Sequence, residues 1–173
     1  GFTFQSNIFW LNLIVRFLYR MALKNTHKVF FQNPDDENLF LDQRIINYDD
    51  KKTFVVNGSG VNLKDFHFTP IPKNINFLLI ARLLKDKGVQ EYFEAAHIVK
   101  KKYPEARFGV VGWIDDNPSA INQEELDYQI KRGSIEFYGR LDDVKPAIAN
   151  CSVYVLPSYR EGTPRTVLEA MAM

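Results

Sequence analysis

Glu161 and Glu169 stand eight residues apart, separated by Gly162, Pro164 and the apolar Val167 and Leu168. A proline just ahead of an apolar-periodic run marks a helix start. The first amides of a helix have no intrahelical acceptor, so they and the helix dipole favour an anion there. A carboxylate accepts hydrogen bonds from a vicinal diol, which is how nucleotide-binding folds grip ribose. Carboxylates on both sides of a bare helix N-terminus therefore suit a ligand made of a sugar, a diphosphate and a ribose. Thr163, Arg165 and Thr166 offer amides to it, whereas Pro164 has none. With Pro164 as the first helical residue, Glu169 is expected roughly 7–8 Å along the axis. Capping and solubility would account for Glu161 alone. Glu169 is harder to explain that way, because Val167, Leu168, Ala170 and Met171 around it are apolar.

A second set of polar residues follows the apolar run Ile75-Asn76-Phe77-Leu78-Leu79-Ile80. Arg82 and Lys87 bracket a loop that ends in Gly88, and a guanidinium fork with an ammonium suits the oxygens of a diphosphate. Tyr138-Gly139-Arg140 either flanks a nucleobase or, for Tyr138, ends a strand with a core aromatic. Trp113 and His97 are expected to be structural, and the adjacent acids Asp115-Asp116 and Asp142-Asp143 point apart, a poor geometry for chelation. No metal site is expected.

The elements that must position these groups alternate regularly. Strands are expected at 75–80, 107–111, 135–138 and 153–156, and helices at 89–103, 124–131, 144–149 and from Pro164 onward. That order implies βαβ units and a doubly wound parallel sheet, with ligands beyond the carboxyl ends of the strands. Residues 61–74 hold Pro70, Pro72 and Asn74 without periodicity and are expected as a linker between residues 1–60 and a domain at 75–173. Upstream, 27–32 and 53–56 read as short strands, and Asn33-Pro34 with Asp35, Asp36 and Glu37 opens a helix. From Asn7 to Lys24 a helix carries Arg16, Arg20 and Lys24 as one stripe opposite Leu11, Ile14, Val15 and Leu18. It reads as a surface helix with a solvated basic face or as a membrane-surface helix anchored by Phe9, Trp10, Phe17 and Tyr19.

At 173 residues, 46% hydrophobic and 25% charged, the composition is that of an ordinary globular chain. A net charge of +1 gives no case for nucleic acid. The one cysteine, Cys151, excludes an internal disulfide and is expected as a buried thiol. Arg16 and Arg20 interrupt the greasy segment near the start, so no transmembrane or targeting element is expected. Gly1 reads as a cut or processed end.

Several short motifs, in order, resemble the family 4 (group 1) retaining glycosyltransferases of the two-Rossmann-domain B fold. They are Asn57-Gly58-Ser59-Gly60-Val61-Asn62 with Phe66, Ala81-Arg82-Leu83 with Lys87-Gly88, Phe137-Tyr138-Gly139, and Leu156-Pro157-Ser158. Glu161-Gly162-Thr163-Pro164 with Leu168-Glu169-Ala170-Met171-Ala172 completes the set. Asn62 stands where the family more often has Asp, and Ala81 where Gly is common. The resemblance implies an α/β, Rossmann-like donor-binding domain preceded by the last part of an acceptor-side domain, one incomplete half of the whole fold.

By the same likeness, Arg82 and Lys87 hold the donor diphosphate and stabilise it as leaving group, and Glu169 holds the ribose. Glu161 and the backbone from Gly162 onward position the donor sugar. No cofactor is implied beyond a UDP- or GDP-linked sugar, and transfer keeps the anomeric configuration. The wording Glu-Gly-Thr-Pro-Arg-Thr is similar to that of bacterial enzymes of capsule, O-antigen or lipid-linked oligosaccharide synthesis. A cytoplasmic location follows, with a sugar or lipid-linked acceptor and peripheral contact at the inner membrane face. A sugar-nucleotide-binding module without transfer activity and a membrane-associated assembly component are the alternatives. Ending inside the last helix, the piece is expected to bind donor weakly and to catalyse nothing alone.

Overall fold

The computed structural model describes residues 9–48 and 51–173. They fall into two compact units, divided between Ser59 and Gly60.

The first unit contains α1 (Phe9–Leu23), β1 (Val29–Phe31), α2 (Pro34–Asp42) and β2 (Thr53–Val55). β1 and β2 run parallel with Phe30 opposite Phe54. The start of α2 follows its sequence signals: the Asn33 side chain accepts from the Asp36 amide at 2.7 Å, and Pro34 fills the first helical position. Phe31, Leu41, Ile45 and Ile46 form a small core beside it.

Helix α1 departs from expectation; its expected first residue, Asn7, and Ile8 lie outside the described residues. Two of the three basic residues are engaged by the protein: Arg16 Nη2 donates to the Gln43 carbonyl at 2.9 Å, and Arg20, though exposed, donates through Nε to the Arg44 carbonyl at 2.8 Å. A third bond joins Arg20 Nη2 to the Gln43 carbonyl at 2.9 Å. The carbonyls at the end of α2 lack intrahelical donors and carry negative partial charge, so they draw the guanidinium groups in. Phe9, Trp10, Leu13, Ile14, Phe17, Leu18 and Met21 are all exposed, and no residue of α1 is buried.

The second unit runs β3 (Asn76–Ile80), α3 (Val89–Lys102), β4 (Arg107–Val111), α4 (Gln123–Lys131), β5 (Glu136–Gly139), α5 (Lys145–Ala149), β6 (Val153–Tyr154) and α6 (Arg165–Ala172). Its sheet has the order β5-β4-β3-β6, every pair parallel. One face packs through Leu79, Phe108 and Val110 onto Val89, Tyr92, Phe93 and Ala96 of α3 and Leu126 of α4. The other face, with Leu78, Ile80 and Val111, meets Ile148 of α5 and Ala170 of α6. Helices on both faces make the sheet doubly wound, which is why β3 and β4 are apolar almost throughout.

Residues 61–74, expected as a linker, pack into the second unit. Phe66 is buried under the Lys145 ammonium, 5.5 Å from its ring centre, and the Thr69 amide donates to the Met173 carbonyl at 2.6 Å. Cys151 is half-buried rather than fully buried, and desolvation raises its thiol pKa above the ordinary value.

Candidate functional site

In the strand order β5-β4-β3-β6, the chain leaves β3 towards β4 and β5 and then crosses back to β6 on the other side of β3, so the strand order reverses between β3 and β6, where open α/β sheets form a crevice beyond the strands' carboxyl ends. Two loops line it, 81–88 after β3 and 155–164 after β6. They touch closely: a Cβ at Gly88 would lie 2.1 Å from the Pro157 carbonyl oxygen. Gly88 also has φ +69°, a conformation other residues enter at a cost. The Tyr159 amide and the Ser158 hydroxyl both donate to the Asp86 carbonyl, at 3.0 and 3.1 Å. At the outer edge Tyr159 donates to the Glu91 carboxylate, which lowers the pKa of Glu91.

These contacts bring Lys87 to Glu161. Nζ and Oε1 are 2.6 Å apart, with about three quarters or more of each side chain covered. Arg82, half exposed, donates to Asp115 Oδ2 at 3.0 Å. Asp115 follows β4, where sequence reasoning saw only an adjacent acidic pair; an Asx-type turn, in which its Oδ1 accepts from the Asn117 amide at 3.0 Å, was the available signal.

Helix α6 begins at Arg165, with Pro164 as its N-cap rather than its first helical residue and no side chain capping it. Within the turns here the Val167 and Leu168 amides are satisfied by the Pro164 carbonyl, whereas those of Arg165 and Thr166 have no acceptor among the described residues. Gly162 and Thr163 lead into this open end. Glu169 therefore lies four residues into the helix, about 6 Å along the axis. It is the one buried residue of α6, and its Oε1 accepts from Arg165 Nε at 2.9 Å. Thr166 fixes the helix to the sheet: Tyr154, its phenol pKa pushed up to about 12 by burial, donates to Oγ1 at 2.7 Å.

Tyr138 is not brought to the crevice. Its ring lies over Gly109, where a Cβ would come within 2.7 Å of Cε2, and its hydroxyl donates to Glu136 at 3.0 Å. It lines a hollow of about 510 Å³ with Asn76, Arg107 and Pro146 that none of the crevice cations reaches. Gly139, φ +70°, ends β5, and its carbonyl accepts from the Gly112 amide at 2.9 Å. The residue after it does reach a site neighbour: the Arg140 guanidinium sits 4.9 Å above the Trp113 ring, which is 40% exposed rather than packed in the core.

The family described as "Glycosyl transferases group 1" matches residues 74–173. The chain is 33% identical over 183 residues to the N,N'-diacetylbacillosaminyl-diphospho-undecaprenol alpha-1,3-N-acetylgalactosaminyltransferase of Campylobacter jejuni, covering 98% of this chain and 46% of that protein. It is 26% identical over 102 residues to the capsular polysaccharide biosynthesis glycosyltransferase CapM of Staphylococcus aureus, covering 58% of this chain and 27% of the relative. The chain thus spans less than half the length of these curated relatives. In fold it is similar to HepE of Anabaena, solved with UDP, at TM-score 0.71 and 19% identity, over 98% of this chain and 49% of HepE. It is likewise similar to TarM of S. aureus, at TM-score 0.70 and 18% identity, over 91% of this chain and 30% of TarM. With the family matching more than half of its residues, the chain belongs to the group 1 glycosyl transferases.

Proposed function

We propose that residues 75–173 form the donor-binding domain of a glycosyltransferase that takes a sugar from a nucleoside-diphosphate sugar, with residues 1–60 ending the acceptor-side domain. The observation that carries this reading is the Lys87–Glu161 pair across the β3/β6 crevice, beside the uncapped start of α6. Lys87 and Arg82 face the diphosphate and neutralise the charge that builds on it as the glycosidic bond breaks. The open amides of α6 bind the same oxygens or the sugar hydroxyls. Glu161, held by Lys87, accepts from the sugar, and Glu169 accepts from the ribose diol. These groups supply leaving-group stabilisation without a metal or a further cofactor, and transfer with retention is the outcome proposed from the family resemblance.

UDP is the first donor nucleotide to test, because the HepE structure contains it. A lipid-linked saccharide is the proposed acceptor, in the manner the name of the C. jejuni relative states for that enzyme, and bacterial envelope glycan synthesis the proposed setting. Calorimetric titration with UDP and GDP tests the site: binding weakened about tenfold or more in both Arg82→Ala and Glu169→Ala is expected, and unchanged affinity in both would sink the assignment.

A peripheral membrane contact is a second reading, favoured by the exposed apolar face of α1. Among the described residues no helix is long and apolar enough to cross a membrane. With Arg16 and Arg20 engaged at α2, the exposed aromatics would make the contact. Flotation with anionic vesicles should then fail in Trp10→Ser/Phe17→Ser; equal flotation of that variant would remove the reading.

A further inference from the structure

We propose that Asp115 is a positioning residue for Arg82, ordering its guanidinium ahead of the donor diphosphate; this rests on the donor-site reading above. The two carboxylate oxygens of Asp115 have separate duties. Oδ1 accepts from the Asn117 amide at 3.0 Å and fixes the carboxylate's rotation, while Oδ2 takes Nη1 of Arg82 at 3.0 Å.

The loop that carries Asp115 is itself zipped to the loop that carries Arg82. The Leu83 amide donates to the Trp113 carbonyl at 3.0 Å, Lys85 to Ser119 at 2.8 Å, and Ile121 to Leu83 at 2.9 Å. Asn117 closes the turn by accepting from the amide and hydroxyl of Ser119. The distance from Asp115 to the backbone of Arg82 is therefore set by main-chain bonds, not by the pair.

Among the described residues Asp115 is the one anchor of an arginine side chain that is 47% exposed, and the remaining guanidinium donors have no acceptor there. An ion pair this open to solvent contributes little to fold stability. Its consequence is orientation: a guanidinium held at Nη1 keeps its other donors available for two phosphate oxygens and loses less freedom when they arrive. With Oδ1 tied to the turn, the carboxylate stays at the loop and does not occupy the anion's place.

A double-mutant cycle tests this by calorimetric titration of UDP, with GDP in parallel, into the chain and into Asp115→Asn, Arg82→Gln and the double variant. Asp115→Asn keeps an acceptor for the Asn117 amide and removes the ion pair. The expected result is UDP binding weakened about tenfold by Asp115→Asn with the melting temperature unchanged, and no further weakening when it is added to Arg82→Gln. Unchanged or tighter binding by Asp115→Asn, or the same loss with and without Arg82, would overturn the proposal alone. Failure of the unsubstituted chain to bind either nucleotide overturns the donor-site reading and this proposal together. If Asp115→Asn melts early, Asp115→Ser, which retains a turn acceptor, replaces it in the cycle and is read the same way.

Discussion

Lys87 and Glu161, 74 positions apart in the chain, meet at 2.6 Å because the loops leaving β3 and β6 are locked together at Gly88 and Pro157. The pair places a cation and a carboxylate side by side at the one point of the sheet where its topology opens a crevice. Their proposed tasks differ, so their substitutions should separate.

Lys87→Ala is expected to lose UDP binding, because an ammonium facing the diphosphate contributes to ground state and transition state alike. Glu161→Gln is expected to keep UDP affinity within about twofold and, in the full-length enzyme, to lower kcat by about 10²–10³-fold, the range for one preorganised polar contact to a reacting group. Calorimetry and transfer assays on the two variants check this. Equal effects of both variants on binding would contradict the division of labour.

Glycines 88 and 133 have nearly the same backbone, φ +69° and +72°, but different surroundings. A Cβ at Gly133 meets nothing within 4 Å, whereas one at Gly88 meets the Pro157 carbonyl. Gly133→Ala should cost only the left-handed backbone penalty, about 1–2 kcal/mol. Gly88→Ala should cost more, by about 1–3 kcal/mol of overpacking, and should also weaken UDP binding by parting the two loops. Urea melts with and without UDP distinguish the two.

Glu136 gives a pH dependence. A bidentate hydrogen bond from Arg107, at 2.8 and 2.6 Å, holds its carboxyl pKa below the ordinary value of 4.5, against desolvation that raises it. A depressed folded-state pKa contributes stability that is complete above the unfolded value and lost as pH falls through the folded one. Arg107→Gln should therefore be less stable than the parent chain at pH 7. The difference should shrink below about pH 4. Thermal melts at pH 7, 5 and 3 measure it, and a gap that stays constant with pH would exclude the linkage.

Glu169 can be separated from its helix neighbour with 2′-deoxy-UDP. If the buried carboxylate accepts from the ribose diol, the parent chain prefers UDP to its deoxy analogue by about tenfold, the scale of one hydrogen bond to a charged group. Glu169→Ala should abolish that preference. Arg165→Ala should retain it while destabilising the chain by about 1 kcal/mol, since the arginine is 72% exposed and its pair with Glu169 largely screened. Loss of the preference in Arg165→Ala would instead place the arginine at the ribose.

Much of the architecture was legible from local spacing. Asn33-Pro34 dictates where α2 starts, the apolar run before Ala81 must be a strand covered on both faces, and alternation with helices leads to a parallel sheet. Arg82, Lys87 and Glu161 stand out in the sequence because they lie in loops that follow apolar strands, and Glu169 because it interrupts an apolar helical run. Those features depend on residues within a few positions of one another, where backbone geometry and hydrophobic period decide the outcome. What the tertiary structure decided is which partner each long side chain finds. Arg16 and Arg20 bond to the end of α2 because it offers carbonyls, Tyr138 folds over a glycine on the neighbouring strand, and Arg82 meets Asp115 because two loops are zipped by backbone bonds. The acceptors of Arg16, Arg20 and Arg82 are 23 to 33 residues away in the chain and the glycine under Tyr138 is on another strand, and a period read along one segment carries no information about what packs across from it.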